Sequence, residues 1–97
     1  MALTLTALQR ATHQTVVEGP GKVPVSLREQ IARGDAPPDL AALVQKIREH
    51  AYRVTDADVD ALRQRYTEDQ LFEIIVTAAV GAAEHRLDRA IAALENV

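Results

Sequence analysis

The stretch TEDQLFEIIVTAAVGAAEHRLDRAIAALE, residues 67–95, decides the fold. Thr67 is placed to cap a helix, and Glu68 and Asp69 put two acids at its positive end. The pattern then runs to about Glu95, so the helix is roughly 40 Å long, whereas a compact domain of this chain length has a diameter nearer about 30 Å. Such a helix protrudes or is shared. From Ile74 through Ala83 there is no charge, so apolar surface wraps around the helix where an ordinary surface helix shows one stripe. Ala78, Ala79, Gly81, Ala82 and Ala83 are small and let helix axes approach closely. Gly81 in mid-helix costs about 1 kcal/mol, which close packing can offset. A subunit contact is expected here, through Ile75, Ala78, Ala79, Gly81 and Ala82, in a homo-oligomer.

Working outward, Thr55 with Asp58 three residues later resembles a capping box and starts a helix DADVDALRQR that buries Val59, Leu62 and Ala61. Before it, Asp39 is placed to cap LAALVQKIREHAY, whose Leu40, Leu43, Val44, Ile47 and Ala51 recur at three- and four-residue intervals. The break between the two falls near Val54. Further upstream, Ser26 and Glu29 form a capping-box pattern for a short helix that Gly34 ends, and Pro37-Pro38 resets the chain. The first segment, LTLTALQRATHQTVVEG, carries Leu5, Leu8, Val16 and Val17 at helical spacing, with Thr4 or Thr6 as N-cap and Gly19-Pro20-Gly21 as a stop. The expectation is an all-α fold of about five helices. It forms a single domain over residues 1–97, with N-terminal helices and a loop in 1–36 and a core in 37–97.

Composition narrows the function. A chain of 97 residues buries only about 60 to 65% of its unfolded surface. Its aromatic content is 3%, so the core is thin and a partner surface would help. There is no cysteine, which closes disulfides, thiol nucleophiles and thiolate metal sites. With a formal charge of −3 and scattered Lys and Arg, the chain offers no basic stripe for phosphates, and no nucleic-acid partner is expected. No apolar run approaches the roughly 20 residues of a membrane span, and the expected location is cytoplasmic. His13, His50 and His85 lie far apart without the i, i+4 spacing of a helical two-histidine site, so no metal or other cofactor is expected. Asp56, Asp58 and Asp60 alternate like a calcium loop, but the glycine of such a loop is missing.

Taken together, HAYRVTDADVDALRQRYTEDQLFEIIVTAAVGAAEHRLDRAIAAL, residues 50–94, resembles the core of the carboxymuconolactone decarboxylase and alkylhydroperoxidase-like family. The resemblance implies an all-α dimer, trimer or hexamer. Aligned on RYTEDQ, the Cys-x-x-Cys-x-x-x-His motif of the family's peroxidase branch falls on His50, Arg53 and Ala57, and its upstream acid near Pro38. All are replaced, and without thiols no peroxide can be reduced through a disulfide. The decarboxylase branch uses no cofactor. By that resemblance His50 could serve as base, Glu73 or Glu49 could orient it, and Arg53 or Arg48 could hold a small carboxylate. The resulting expectation is a cysteine-less helical binding or assembly module; the alternative is a cofactor-free lyase or isomerase acting on a small carboxylate. Plainer roles compete with the enzyme: His50 as a polar helix end near the negative dipole, Tyr52 and Tyr66 as boundary packing residues, and EHRLDR as a charged helix surface.

Overall fold

Both Thr-led start signals are realised. Thr67 Oγ1 accepts the Gln70 amide at 3.1 Å while the Gln70 side chain accepts the Thr67 amide at 2.9 Å. Thr55 and Asp58 make the same reciprocal pair. Each box satisfies two of the backbone donors that a helix start leaves open. The computed structural model describes residues 5–96. It contains α1 (Leu5–His13), α2 (Val25–Ala32), α3 (Pro38–His50), α4 (Asp56–Asp60) and α5 (Glu68–Glu95). A π-helical turn, Gln14–Glu18, extends α1, and a 3-10 turn, Ala51–Arg53, ends α3. No strand occurs among the described residues, and no helix there is long and apolar enough to cross a membrane.

Three expected caps are corrected or fall elsewhere. Ser26 does not cap α2, because that helix starts one residue earlier behind Pro24, whose carbonyl already accepts the Arg28 amide at 3.0 Å. Asp39 does not cap α3. Pro37 is the N-cap and Pro38 the first helical residue, where a missing amide costs nothing. The carboxylate of Asp39 instead accepts the Tyr66 hydroxyl at 2.6 Å. Thr6 lies inside α1, and Thr4 lies outside the described residues. Gly34 does end α2, with φ of +80°. Its amide bonds Ile31 and the Asp35 amide bonds Gln30, the paired closure for which glycine's left-handed freedom is needed.

The core lies where α2 and α3 cross α5. Leu40, Leu43, Val44 and Ile47 of α3 are all buried, as their spacing predicts, against Ile31 of α2 and Leu71, Ile74 and Ala78 of α5. Leu62 is buried as expected, but Ala51, in the 3-10 turn, and Ala61 are exposed, and α4 ends at Asp60, short of the expected run to residue 65.

The small residues of α5 serve this internal contact. A Cβ on Gly81 would run into the carbonyl oxygen of Ala32 and lie 2.7 Å from its Cα. Gly81 is therefore covered by α2 of the same chain, and Ala78 and Ala82 are buried within the chain as well, where a subunit contact was expected. Ile75 packs partly against the core, and Ala79 is exposed. The molecule measures 47 × 28 × 19 Å with a radius of gyration of 14.4 Å, against about 12.5 Å for a compact chain of this length. The long dimension matches α5, whose 28 residues span about 42 Å.

Candidate functional site

His50, Tyr52 and Arg53 are brought together, but on the surface. The His50 ring meets the Tyr52 ring edge-on at 5.9 Å, and the Arg53 guanidinium carbon lies 5.7 Å from the Tyr52 centroid. Tyr52 is 79% exposed, so water competes for each group and no substrate would be desolvated between them. Glu49 accepts from Gln45 at 2.6 Å. Arg48 turns inward, donating to the carbonyl of Ala32 at 3.3 Å, while its own carbonyl accepts from Arg86 at 2.6 Å. Both are fastenings of helix ends.

Glu73 is not part of that cluster, and no hydrogen bond or ion pair among the described residues joins it to His50 or Arg53. Its carboxylate accepts the amides of Lys22, at 2.8 Å and 2.9 Å, and Val23, at 2.9 Å. Arg28, only 3% exposed, completes the clamp from the opposite sign. It donates to the carbonyls of Val23 at 2.9 Å, Val16 at 3.0 Å and Gly19 at 2.5 Å. A loop without regular structure thus has its backbone satisfied by two charged side chains, as buried peptide groups require. Gly21 is needed there because a Cβ would collide with Glu73 Oε1. Sequence reasoning missed Arg28. Its signal was a lone cation one turn into a short helix, beside a Gly-Pro-Gly loop whose carbonyls have no ladder to join.

Between α1 with its π-turn and α5 runs an apolar groove. Near the start of α5 it holds a cavity of about 170 Å³ walled by Val16, Pro20, Phe72 and Val76, with Arg28, Glu73 and the buried Thr77 beside it. Further along, a cavity of about 260 Å³ lies among Leu8, Thr12, Val80, Ala83 and Leu87. Along its outer side α5 carries an exposed uncharged stripe through Phe72, Ala79, Ala83 and Leu94, of which Phe72 and Ala83 also border the groove, with Phe72 68% and Leu94 73% exposed.

A third cavity, of about 560 Å³, has a mixed lining in which charged and polar side chains join Ile91 and Ala92, and lies beside His13 and the far end of α5. His13 Nδ1 sits 3.0 Å and 3.1 Å from the two oxygens of Glu84, and Nε2 is 3.8 Å from Glu18. Gln9 donates to Asp88 at 2.9 Å. These contacts tie α1 down to α5. No group of three or more His, Asp or Glu side chains among the described residues is arranged to hold a metal ion, and His85 is exposed. Two titratable groups are displaced elsewhere. The hydrogen bond from Lys46, at 2.8 Å, and the Thr55 amide hold the Asp58 carboxyl below its usual range. Bonding to Asp39, aided by burial, pushes the Tyr66 hydroxyl above its usual range.

No family model, curated protein or solved structure matches the chain.

Proposed function

We propose that the chain is a helical binding and assembly module that self-associates through the outer face of α5 and the groove beside α1. One observation carries this reading. α5 has two apolar faces: the inner one is covered by α2 and α3, and the outer one only in part, by α1 and its π-turn. The outer face repeats apolar residues three or four positions apart from Phe72 to Leu94, a stripe of about 33 Å. Its small members, Ala79 and Ala83, permit a close second helix, and the groove cavity at Leu8 and Leu87 offers the recess for its side chains. Long exposed apolar patches on soluble domains mark interaction surfaces. A second copy supplies the same stripe, so a two-fold contact buries both at once.

A lyase built on His50, Arg53 and Glu73 is the weaker reading, because the first two are exposed and the carboxylate of the third is committed to the Lys22–Val23 backbone. Kinship with the alkylhydroperoxidase-like family would suit the element order, in which a turn, a short helix and a capped long helix follow α3, and an assembling fold suits the reading preferred here.

The test is native mass spectrometry and light scattering on the full chain beside Ala83→Arg and Leu87→Glu. The expected result is an oligomeric wild type and monomeric variants with unchanged helical circular dichroism. A wild type that stays monomeric at high micromolar concentration would overturn the proposal.

A further inference from the structure

We propose that two copies of the chain pair their α5 helices antiparallel, in the register that sets Asp69 against the partner's Arg86 at both ends of the contact. The proposal rests on the self-association reading and adds to it the direction and the register. Asp69, Phe72, Val76, Ala79, Ala83 and Arg86 follow one another at alternating intervals of three and four residues, the spacing that keeps one side of a helix against another helix. Phe72, Ala79 and Ala83 are exposed and Val76 is half-buried. Charge enters this seam only at its ends, negative at Asp69 and positive at Arg86.

Charge and size together select this arrangement. In a parallel pair each residue meets its own kind, so the aspartates face each other at one end, the arginines at the other, and both ends repel. In the antiparallel register with Asp69 on the partner's Arg86, Phe72 faces the partner's Ala83 and Val76 faces the partner's Ala79. Each larger side chain meets a small one, which lets the axes approach and fills the layers evenly. The two-fold axis repeats every pair, so an ion pair closes each end. A slide that lengthens the overlap by one heptad sets Arg86 on the partner's Val76 and Asp69 on the partner's Ala93. The opposite slide crowds Phe72 against the partner's Val76 and carries Arg86 past the end of the partner helix. Both charged groups have capacity for a second contact. The Asp69 side chain is 72% exposed and meets Lys22 through one oxygen at 3.4 Å. Arg86 is exposed and donates from one terminal nitrogen to the Arg48 carbonyl, and a guanidinium has further donors to give.

The experiment places one nitroxide label on the full chain at Leu94→Cys, an exposed position beyond the seam in a protein with no cysteine of its own. The proposed register puts the two labels of a dimer about 50 Å apart along the paired helices, and pulsed electron paramagnetic resonance is expected to read that distance. The longer overlap would give about 40 Å and a parallel pair less than about 20 Å; either value overturns the register. Sedimentation equilibrium supplies the second reading. Arg86→Asp and Asp69→Arg each set like charges together at both ends and are expected to weaken association by about tenfold or more, while the chain carrying both recovers to within about threefold of the wild type. Loss of the Arg48 contact alone would not be rescued in this way. Single reversals that associate like the wild type, or a double variant as weak as the singles, would overturn the pairing. A monomeric wild type would overturn self-association as well, whereas an oligomer dissociated by Ala83→Arg but showing the wrong label distance would lose the register alone. Should a reversal variant fail to fold, the label distance with both native charges in place still decides.

Discussion

Gly81→Ala adds one methyl group between α5 and α2, and two effects of opposite sign compete there. On an exposed stretch of helix the exchange stabilises by about 1 kcal/mol, because alanine loses less backbone freedom. At Gly81, however, the new Cβ meets the Ala32 carbonyl oxygen and would sit 2.7 Å from Ala32 Cα and 2.8 Å from its carbonyl carbon. Non-bonded carbon atoms settle at about 3.5 to 4.0 Å, so α2 has to retreat by roughly 1 Å. The obstacle is backbone, which has no alternative rotamer, so the upper end of the usual overpacking penalty, about 3 kcal/mol, applies. The net expectation is a loss of about 2 kcal/mol and a melting temperature lower by roughly 10 °C. Urea and thermal unfolding followed by circular dichroism at two protein concentrations would read this, since a change that is the same at both belongs to the folded chain and not to its assembly. A Gly81→Ala chain as stable as the wild type, or more so, would refute the close crossing of α2 over α5.

Arg28→Met keeps most of the buried volume but strips three carbonyls, two in the loop and one in the π-turn, of their donor. It is expected to destabilise by about 3 kcal/mol and to speed hydrogen exchange at Lys22 and Val23. His50→Ala and Arg53→Ala, both on the surface, are expected to shift unfolding free energy by less than about 0.5 kcal/mol; a larger loss would show a contact that the exposed cluster lacks. Acid stability should carry the mark of Asp58. Its folded carboxyl lies below the ordinary aspartate value, so its contribution is present above that value and is lost as pH falls through the depressed one. Lys46→Met should flatten the acid limb of the pH–stability curve. Tyr66 works in the other direction. Its folded value lies above the ordinary tyrosine value, so its contribution holds below about pH 10 and is lost as pH rises through the raised value; Asp39→Asn should remove most of that alkaline loss.

The helices were legible wherever side-chain spacing and capping agreed. Thr55 and Thr67, each followed three residues later by a side chain able to reach back, set both starts correctly, and the Leu40–Ile47 stripe named the buried face of α3. Proline misled the reading of the other two starts, because Pro24 and Pro37 begin their helices without a side-chain cap. The uncharged middle of α5 signalled two faces in need of cover. Spacing alone could not say that α2, a helix of eight residues, would be the one to press against Gly81. The candidate site was less legible. Histidine and arginine three positions apart, at residues 50 and 53, do share a neighbourhood, yet whether it is enclosed depends on elements distant in the chain. Arg28 acquires its role only through tertiary placement.

α5 is one continuous helix, yet its two ends live under different thermodynamic conditions. Amides near Ile74 to Ala82 lie under α2 and α3 and can exchange their hydrogens only when the whole core opens. Those beyond Leu87 are held by α1 through surface contacts such as Gln9 with Asp88, just past the His13–Glu84 pair. Fraying there requires no loss of core. Protection should therefore fall in a step along a single unbroken helix, and α1 should lose its protection together with the last two turns of α5. The boundary of cooperative folding then runs across the middle of an element and not between elements. A partner copy that covered the outer face would move that boundary toward the C-terminus.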